Sequence, residues 1–352
     1  MIRLEKRQST SKYWLFLSPN LAILLSLLGG ALLFAALGYE PLTTLEAFFI
    51  TPISDLYGLT ELAIKTTPLV LIALGLMVAY TANVWNIGAE GQYLAGAICG
   101  TAVAMIFYEV ESWWVLPLMF LGSMLGGMLW ASIPAILKNR YNVNEILSSL
   151  MLNYVAFQLL LFMINGPLRD PDGINFPESR VFHDGALLPI LLEDTRLNFG
   201  IVIALLFVAI FWVFNAKSLF GFKTRVYGQA PLAAKYAGFK ESGIILTAFL
   251  ISGSMAGVAG FTEISGPAGQ LTSHFSTNYG YTAIIVAFLG RLHPIGILLG
   301  GLIIGLSTLG GESAQIDLGM PLAVTGVFQG MLLFFLLACD LLRTHQICRI
   351  KK

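Results

Sequence analysis

The densest group of polar side chains lies in one short stretch between two apolar segments. Residues 81–92 read TANVWNIGAEGQ, which brings Asn83, Asn86, Glu90 and Gln92 together without any Lys or Arg. Amides and carboxylates can hydrogen-bond a polar solute, and backbone outside a helix is tolerated at membrane depth only beside protein or a watery cavity. Ionisable groups inside a membrane are also a sign of function. We therefore predict a helix break that lines or gates a solute pathway.

The same stretch has a simpler interpretation. A short solvated turn would also collect amides and glycines. Glu90 would then stabilise the helix that follows, because an acidic residue in the first turn interacts favourably with the helix dipole. The sequence leaves both interpretations open.

A second polar group opens a later apolar segment, where residues 142–154 read NVNEILSSLMLNY. Glu145, Ser149 and Asn153 recur every four residues, so they share one stripe of a helix. Such a stripe predicts either solute contact or hydrogen bonds between helices, worth about 0.6–2 kcal/mol each. From both groups, the candidate substrate-pathway residues are Asn83, Asn86, Glu90, Gln92, Ser149 and Asn153.

Composition places these groups in a membrane protein. Of the 352 residues, 57% are hydrophobic and 11% charged, against roughly 25% charged in typical soluble domains. The net charge is zero, which gives no global field for nucleic acid. Since a membrane helix needs about 20 apolar residues, the sequence predicts an all-α polytopic transmembrane bundle of about ten spans. They are residues 14–38, 62–82, 91–108, 113–137, 146–165, 199–215, 243–262, 278–290, 296–310 and 321–342.

Two of these spans, the eighth and ninth, are short enough to be broken or re-entrant helices. Lys and Arg accumulate in cytoplasmic loops, and they concentrate in both termini, at 138–140 and in 216–242. Under a ten-span arrangement all four regions lie on one side, so we predict cytoplasmic termini. The chain is interpreted as a single membrane domain, 1–352, containing the cytoplasmic loop 216–242.

The loop 216–242 is far shorter than the roughly 100 residues of a nucleotide-hydrolysing domain, and the chain has no G-x-x-x-x-G-K-[ST] phosphate loop. Pro231 suits the first turn of a helix, Leu232 to Ala237 favours helix, and Gly238 suits a left-handed cap. We predict a two-turn surface helix whose alanine-rich face docks on another protein. The alternative is an interfacial helix with a snorkelling Lys235.

Small residues recur at i, i+4 spacing, which allows close helix packing; the pairs are Gly96/Gly100, Gly122/Gly126, Gly253/Gly257, Gly296/Gly300, Gly301/Gly305 and Gly326/Gly330. The three cysteines and four histidines are scattered. There is no H-E-x-x-H motif or paired-carboxylate constellation. We therefore predict neither catalytic residues nor a metal site, and an integral membrane enzyme is disfavoured.

Three motifs in order resemble a known family: NIGAEGQ at 86–92, NEILSSLMLNY at 144–154 and G-x-x-x-x-A-A-x-Y-A-G at 228–238. They resemble permeases of bacterial ABC importers for simple sugars and nucleosides, which are similar to branched-chain amino acid permeases. The resemblance continues through 252–260 and 287–296 and is nearer to the nucleoside type.

The resemblance implies an assembly in the bacterial cytoplasmic (inner) membrane. Its other members would be a second permease subunit, identical or different, a cytoplasmic ABC ATPase that hydrolyses ATP, and an extracytoplasmic solute-binding protein. No cofactor is expected in this chain. Carried over, the ATPase-coupling element is Gln229, Pro231, Leu232, Ala233, Ala234, Lys235, Tyr236, Ala237 and Gly238.

These observations predict alternating access for a small neutral polar solute, a nucleoside or simple sugar. A charged cargo would usually need an intramembrane counter-charge, and no cluster of buried charges is evident in the sequence. The alternative is an ion-coupled secondary transporter in which Glu90 is the coupled carboxylate.

Overall fold

The protein is described by a computed structural model that covers residues 2–6, 12–173, 176–275 and 278–349. Its longer helices are α1 Lys12–Ala36, α2 Pro41–Phe49, α3 Leu56–Thr81, α4 Ala89–Ile106, α5 Val115–Tyr141, α6 Glu145–Asn165, α7 Gly200–Lys217, α8 Leu219–Gln229, α9 Pro231–Tyr236, α10 Glu241–Glu263, α11 Tyr279–Leu289, α12 Pro294–Leu318 and α13 Ala323–Thr344. Short 3-10 turns occur at Thr51–Ile53 and Asp184–Ala186, and a π-helical turn, Ile264–Ala268, extends α10. Strands β1 Ile2–Lys6 and β2 His345–Arg349 pair antiparallel.

The chain divides into two compact units. One comprises residues 1–59 and 306–352, where α1 packs along α13. Its core includes three phenylalanines. The ring centroid of Phe48 lies 5.3 Å from that of Phe34 and 6.2 Å from that of Phe328. The other unit, residues 60–305, contains both predicted functional regions.

Helices α4, α5 and α10 form the centre of the second unit. Gly253 shows how closely α10 approaches α5, since an added Cβ there would lie 2.4 Å from the carbonyl oxygen of Gly127. Small residues therefore set the helix spacing, as predicted. At Gly326 and Gly330 an added Cβ would meet no described residue within 4 Å, so close packing at this pair stays a prediction.

Six helices in the described chain are long and apolar enough to cross a membrane: α3, α5, α6, α7, α10 with its π-turn, and α12. Shorter apolar helical segments are Asn20–Ala36, Tyr279–Leu289 and Ala323–Cys339. This supports a helical membrane bundle but not the count of ten spans. Helix α4 has 18 residues, but Glu90 and Gln92 in its first turn lower its hydropathy.

The two spans predicted to be short behave differently. Helix α11 has 11 residues, or about 16 Å of helix, roughly half of a 30 Å hydrocarbon layer. Helix α12 has 25 residues, so the ninth apolar segment belongs to a helix long enough to cross the membrane. The helix continues through residues 311–318, which include Glu312, Gln315 and Asp317, beyond the apolar run that predicts the span.

Candidate functional site

The predicted break lies between α3 and α4. Helix α3 ends at Thr81, Asn83 adopts a left-handed conformation with φ of 55°, and α4 begins at Ala89. Residues 84–88 are non-helical. Their partners on α6 are Ser149 and Asn153, which lie about 6 and 12 Å along that helix from its start at Glu145. The break therefore contacts α6 about one and two turns into that helix.

Asn86 is the centre of the break. Its side chain is fully buried, and Nδ2 donates to Gln92 Oε1 and to Ser252 Oγ, both at 2.9 Å. Its Oδ1 accepts from Gln92 Nε2 and from the Gly88 backbone N–H, both at 3.0 Å. Asn86 and Gln92 thus fasten the break to α10 and to the start of α4.

Ser149 and Asn153 complete the fastening from α6. Ser149 Oγ accepts from Ile87 N–H at 3.2 Å, and Asn153 Oδ1 accepts from Gly91 N–H at 2.9 Å. Asn153 Nδ2 donates to Ile87 O at 3.0 Å and to the Tyr281 hydroxyl at 2.9 Å. These bonds satisfy backbone groups that no helix satisfies, as buried peptide groups require.

The other polar residues at the start of α6 have local partners. Asn144 caps the helix, accepting from Ile146 and Leu147 N–H. Glu145 pairs with Lys138 across the α5–α6 turn at 3.0 Å. The stripe predicted from sequence is therefore divided, since Ser149 and Asn153 reach the break and Glu145 does not.

Glu90 is buried where the first turns of α4 and α11 meet. It lies in the first turn of α4, and its Oε2 accepts from Gly280 N–H, in the first turn of α11, at 2.7 Å. Asn278, at the N-cap of α11, makes no side-chain cap bond. Because helix N-termini carry partial positive charge, one carboxylate stabilises two helix starts, only one of which was expected from sequence.

Asn83 is separate from this network, because its side chain is exposed. Trp85 is also partly open, at 39% exposure, and it belongs to a three-ring cluster with Tyr80 and Phe288. Sequence reasoning missed Trp85, Phe288, Tyr281 and Ser252. Trp85 lies within residues 81–92, so the sequence itself places an aromatic ring beside the amides.

The coupling loop folds into two helices. The predicted helix is α9, with Pro231 in its first turn and Gly238 at a φ of 79°. Leu232 and Tyr236 project outward at 85% and 97% exposure, whereas Ala234 is fully buried. The remaining predicted coupling residues are exposed, namely Gln229, Pro231, Ala233, Lys235, Ala237 and Gly238. The preceding helix α8 was not predicted.

The coupling loop directly contacts the end of α3. At Gly228 an added Cβ would lie 2.1 Å from the Thr81 carbonyl oxygen. Tyr227 packs against a buried cluster that includes Ala82 and Val84, the first residues of the break. Burial raises the pKa of Tyr227 most, and the hydrogen bond that its hydroxyl donates to Glu241 at 2.7 Å raises it further. This phenol therefore stays neutral.

Comparison with known proteins identifies the family. A sequence profile described as the permease component of branched-chain amino acid transport systems matches residues 58–337. The chain belongs to this permease family. No solved structure matches significantly.

Three relatives of this permease are ABC transporter permeases. A glucose ABC transporter permease protein of Haloferax volcanii is 33% identical over 98% of this chain and 93% of its own. A guanosine ABC transporter permease protein of Bacillus subtilis is 32% identical over 91% and 92%. A nucleoside ABC transporter permease protein of Lactococcus lactis is 28% identical over 91% and 90%. The chain is therefore an ABC permease of the simple sugar or nucleoside type and is not an enzyme.

Proposed function

We propose that this permease moves a small neutral polar solute, a nucleoside or simple sugar, into the cytoplasm by alternating access, driven by ATP hydrolysis in a partner subunit. The observation that best supports this proposal is that the coupling loop packs directly on the start of the break, where Gly228 contacts Thr81. A displacement of α8 and α9 would reach the break without an intermediate element. The descriptions of the relatives as sugar and nucleoside permeases support the class of solute.

A neutral cargo is consistent with the electrostatics of the break. Two helix N-termini meet there, and such a site attracts anions. Glu90 already supplies a carboxylate to it, through the bond to Gly280 N–H. The site therefore does not require an anionic solute, and the amides around Asn86 are neutral.

We also propose a complete importer around this chain. Two guanosine permeases of Bacillus subtilis match it, at 32% and 27% identity, and so do two nucleoside permeases of Lactococcus lactis, at 28% and 24%. This pairing supports a second permease subunit here. A cytoplasmic ABC ATPase and an extracytoplasmic solute-binding protein would complete the assembly in the cytoplasmic membrane. Both termini would be cytoplasmic, and α4 and the short α11 would count among ten membrane segments.

The ATPase would bind the exposed face of α9. Leu232 and Tyr236 are large apolar side chains presented on a helix of six residues. Ala234 faces inward. Leu232 and Tyr236 are therefore stronger anchors for the ATPase than the alanine-rich face that the sequence predicts. Exposed aromatic residues of this kind commonly contribute most to an interface.

The test is co-purification of the four-component assembly in mild detergent, together with ATP-dependent solute uptake in proteoliposomes. Leu232→Asp with Tyr236→Asp should release the ATPase and abolish uptake. The matched control is Val181→Asp, at an apolar residue that is 63% exposed in the loop between α6 and α7, which should retain both. Recovery of the wild-type chain without any ATPase, with uptake unaffected by ATP depletion, would refute the proposal.

A further inference from the structure

We propose that the open face of Trp85, which packs against Phe288, is a stacking surface for the base of a nucleoside as it passes the break. This inference rests on the proposed function and names the part of the cargo that the pathway contacts. The indole of Trp85 lies 6.0 Å from the Phe288 ring, centroid to centroid, with the two planes 27° apart. Trp85 is 39% exposed and Phe288 is half-buried.

A third ring holds this surface in place. Tyr80 is buried and stacks on Phe288 at 5.2 Å and 16°. Its hydroxyl donates to the Asn86 carbonyl oxygen at 3.0 Å, so it is fixed to the centre of the break. A platform that is fixed in advance loses little side-chain freedom when a ligand binds.

The surface continues along α11 toward hydrogen-bonding groups. Tyr281, Ile284 and Phe288 are spaced by three and four residues, so they share a face, and all three are partly exposed. The Tyr281 hydroxyl is bound to Asn153. An aromatic surface at one end and a phenol at the other match a nucleoside, which has a flat base and a hydroxylated sugar.

A tryptophan near a membrane surface often anchors a protein in the lipid interface. Trp85 differs because it lies on non-helical backbone, between Val84 in the core cluster and the buried Asn86. Such backbone is tolerated at membrane depth only beside protein or a water-filled cavity. The open side of the indole therefore faces water or protein in preference to acyl chains.

The experiment measures the initial rate of ATP-dependent uptake at subsaturating guanosine in proteoliposomes that contain the whole importer, with radiolabelled guanosine as the probe. Trp85→Leu should lower that rate roughly five- to a hundredfold, as expected for the loss of one base–aromatic stack. Trp85→Phe should restore most of it. The matched control is Trp212→Ala, at a tryptophan of α7 that is 51% exposed, which should transport as wild type.

Equal uptake by Trp85→Leu and Trp85→Phe would overturn the inference, because both fill space and only one can stack. Loss of the second permease from purified Trp85→Leu would also overturn it, since Trp85 would then be an interface residue. If the wild-type importer shows no ATP-dependent guanosine uptake, the proposed function fails for this solute before the variants are compared. Unchanged ATPase activity in the Trp85→Leu complex serves as the folding control.

Discussion

Replacing Glu90 tests the junction between α4 and α11 most directly. Its carboxylate accepts a 2.7 Å hydrogen bond from Gly280 N–H in a buried setting. A hydrogen bond to a charged group contributes about 1.5–3 kcal/mol, and a carboxylate at a partly buried helix N-terminus up to about 2 kcal/mol. Because these effects overlap, we expect Glu90→Ala to destabilise the protein by about 3 kcal/mol.

Glu90→Gln retains a carbonyl acceptor and loses only the charge, so we expect about 1–2 kcal/mol from the helix-dipole contribution. Thermal denaturation of the detergent-purified complex would rank the variants, with Glu90→Ala shifted by roughly 6–12 °C at about 2–4 °C per kcal/mol. Hydrogen exchange should increase most in α11. The control is Glu109→Ala, at an exposed carboxylate, which should denature as wild type.

Two results would refute this reasoning. If Glu90→Ala were as stable as wild type, the carboxylate would not support the start of α11. If Glu90→Gln were stable but abolished uptake, and uptake of the wild type needed an ion gradient and no ATP, Glu90 would act as an ion-coupled carboxylate. The secondary-transporter alternative would then replace the importer.

Three further predictions concern the break and its packing. Asn86→Ala removes four hydrogen bonds and should destabilise the purified protein by about 2–4 kcal/mol. Asn83→Gly, at an exposed residue whose left-handed backbone glycine adopts freely, should not, and equal melting temperatures for the two variants would contradict the network. Gly253→Ala places a Cβ 2.4 Å from the Gly127 carbonyl oxygen and should cost about 1–3 kcal/mol through overpacking, whereas Gly326→Ala should be tolerated, as circular dichroism melts would show. Gly228→Ala pushes α8 from Thr81 and should reduce solute moved per ATP hydrolysed severalfold while the ATPase remains bound; an unchanged ratio would argue against transmission through this contact.

The sequence predicted elements whose determinants are local. The run of apolar residues indicates α3, α5, α6, α7 and α10, and Pro231 with Gly238 delimits α9. The helix break was expected from the same reasoning, because polar residues and glycines interrupt two apolar segments. Each of these features is determined by residues within a few positions of one another, so a single sequence is enough to predict it.

The partners of the polar residues could not be predicted in the same way. Asn86 finds Ser252, 166 positions later, and Glu90 finds Gly280, 190 positions later. Such long separations in sequence follow no periodic pattern, so the sequence alone does not reveal these partners. The length of α12 was missed for a different reason, because a helix can extend beyond the apolar stretch that hydropathy detects. Helix α8 has mixed composition and gives no apolar stripe.

The short α11 has a consequence for how the protein is made. With about 16 Å of helix, it cannot by itself span the hydrocarbon layer during synthesis, and its first peptide groups would be unsatisfied in lipid. Its acceptor, Glu90, belongs to a helix made much earlier. Biogenesis of this permease therefore has an order: the earlier helices must already be assembled to receive α11, so its entry is a late, templated folding step rather than an independent membrane insertion.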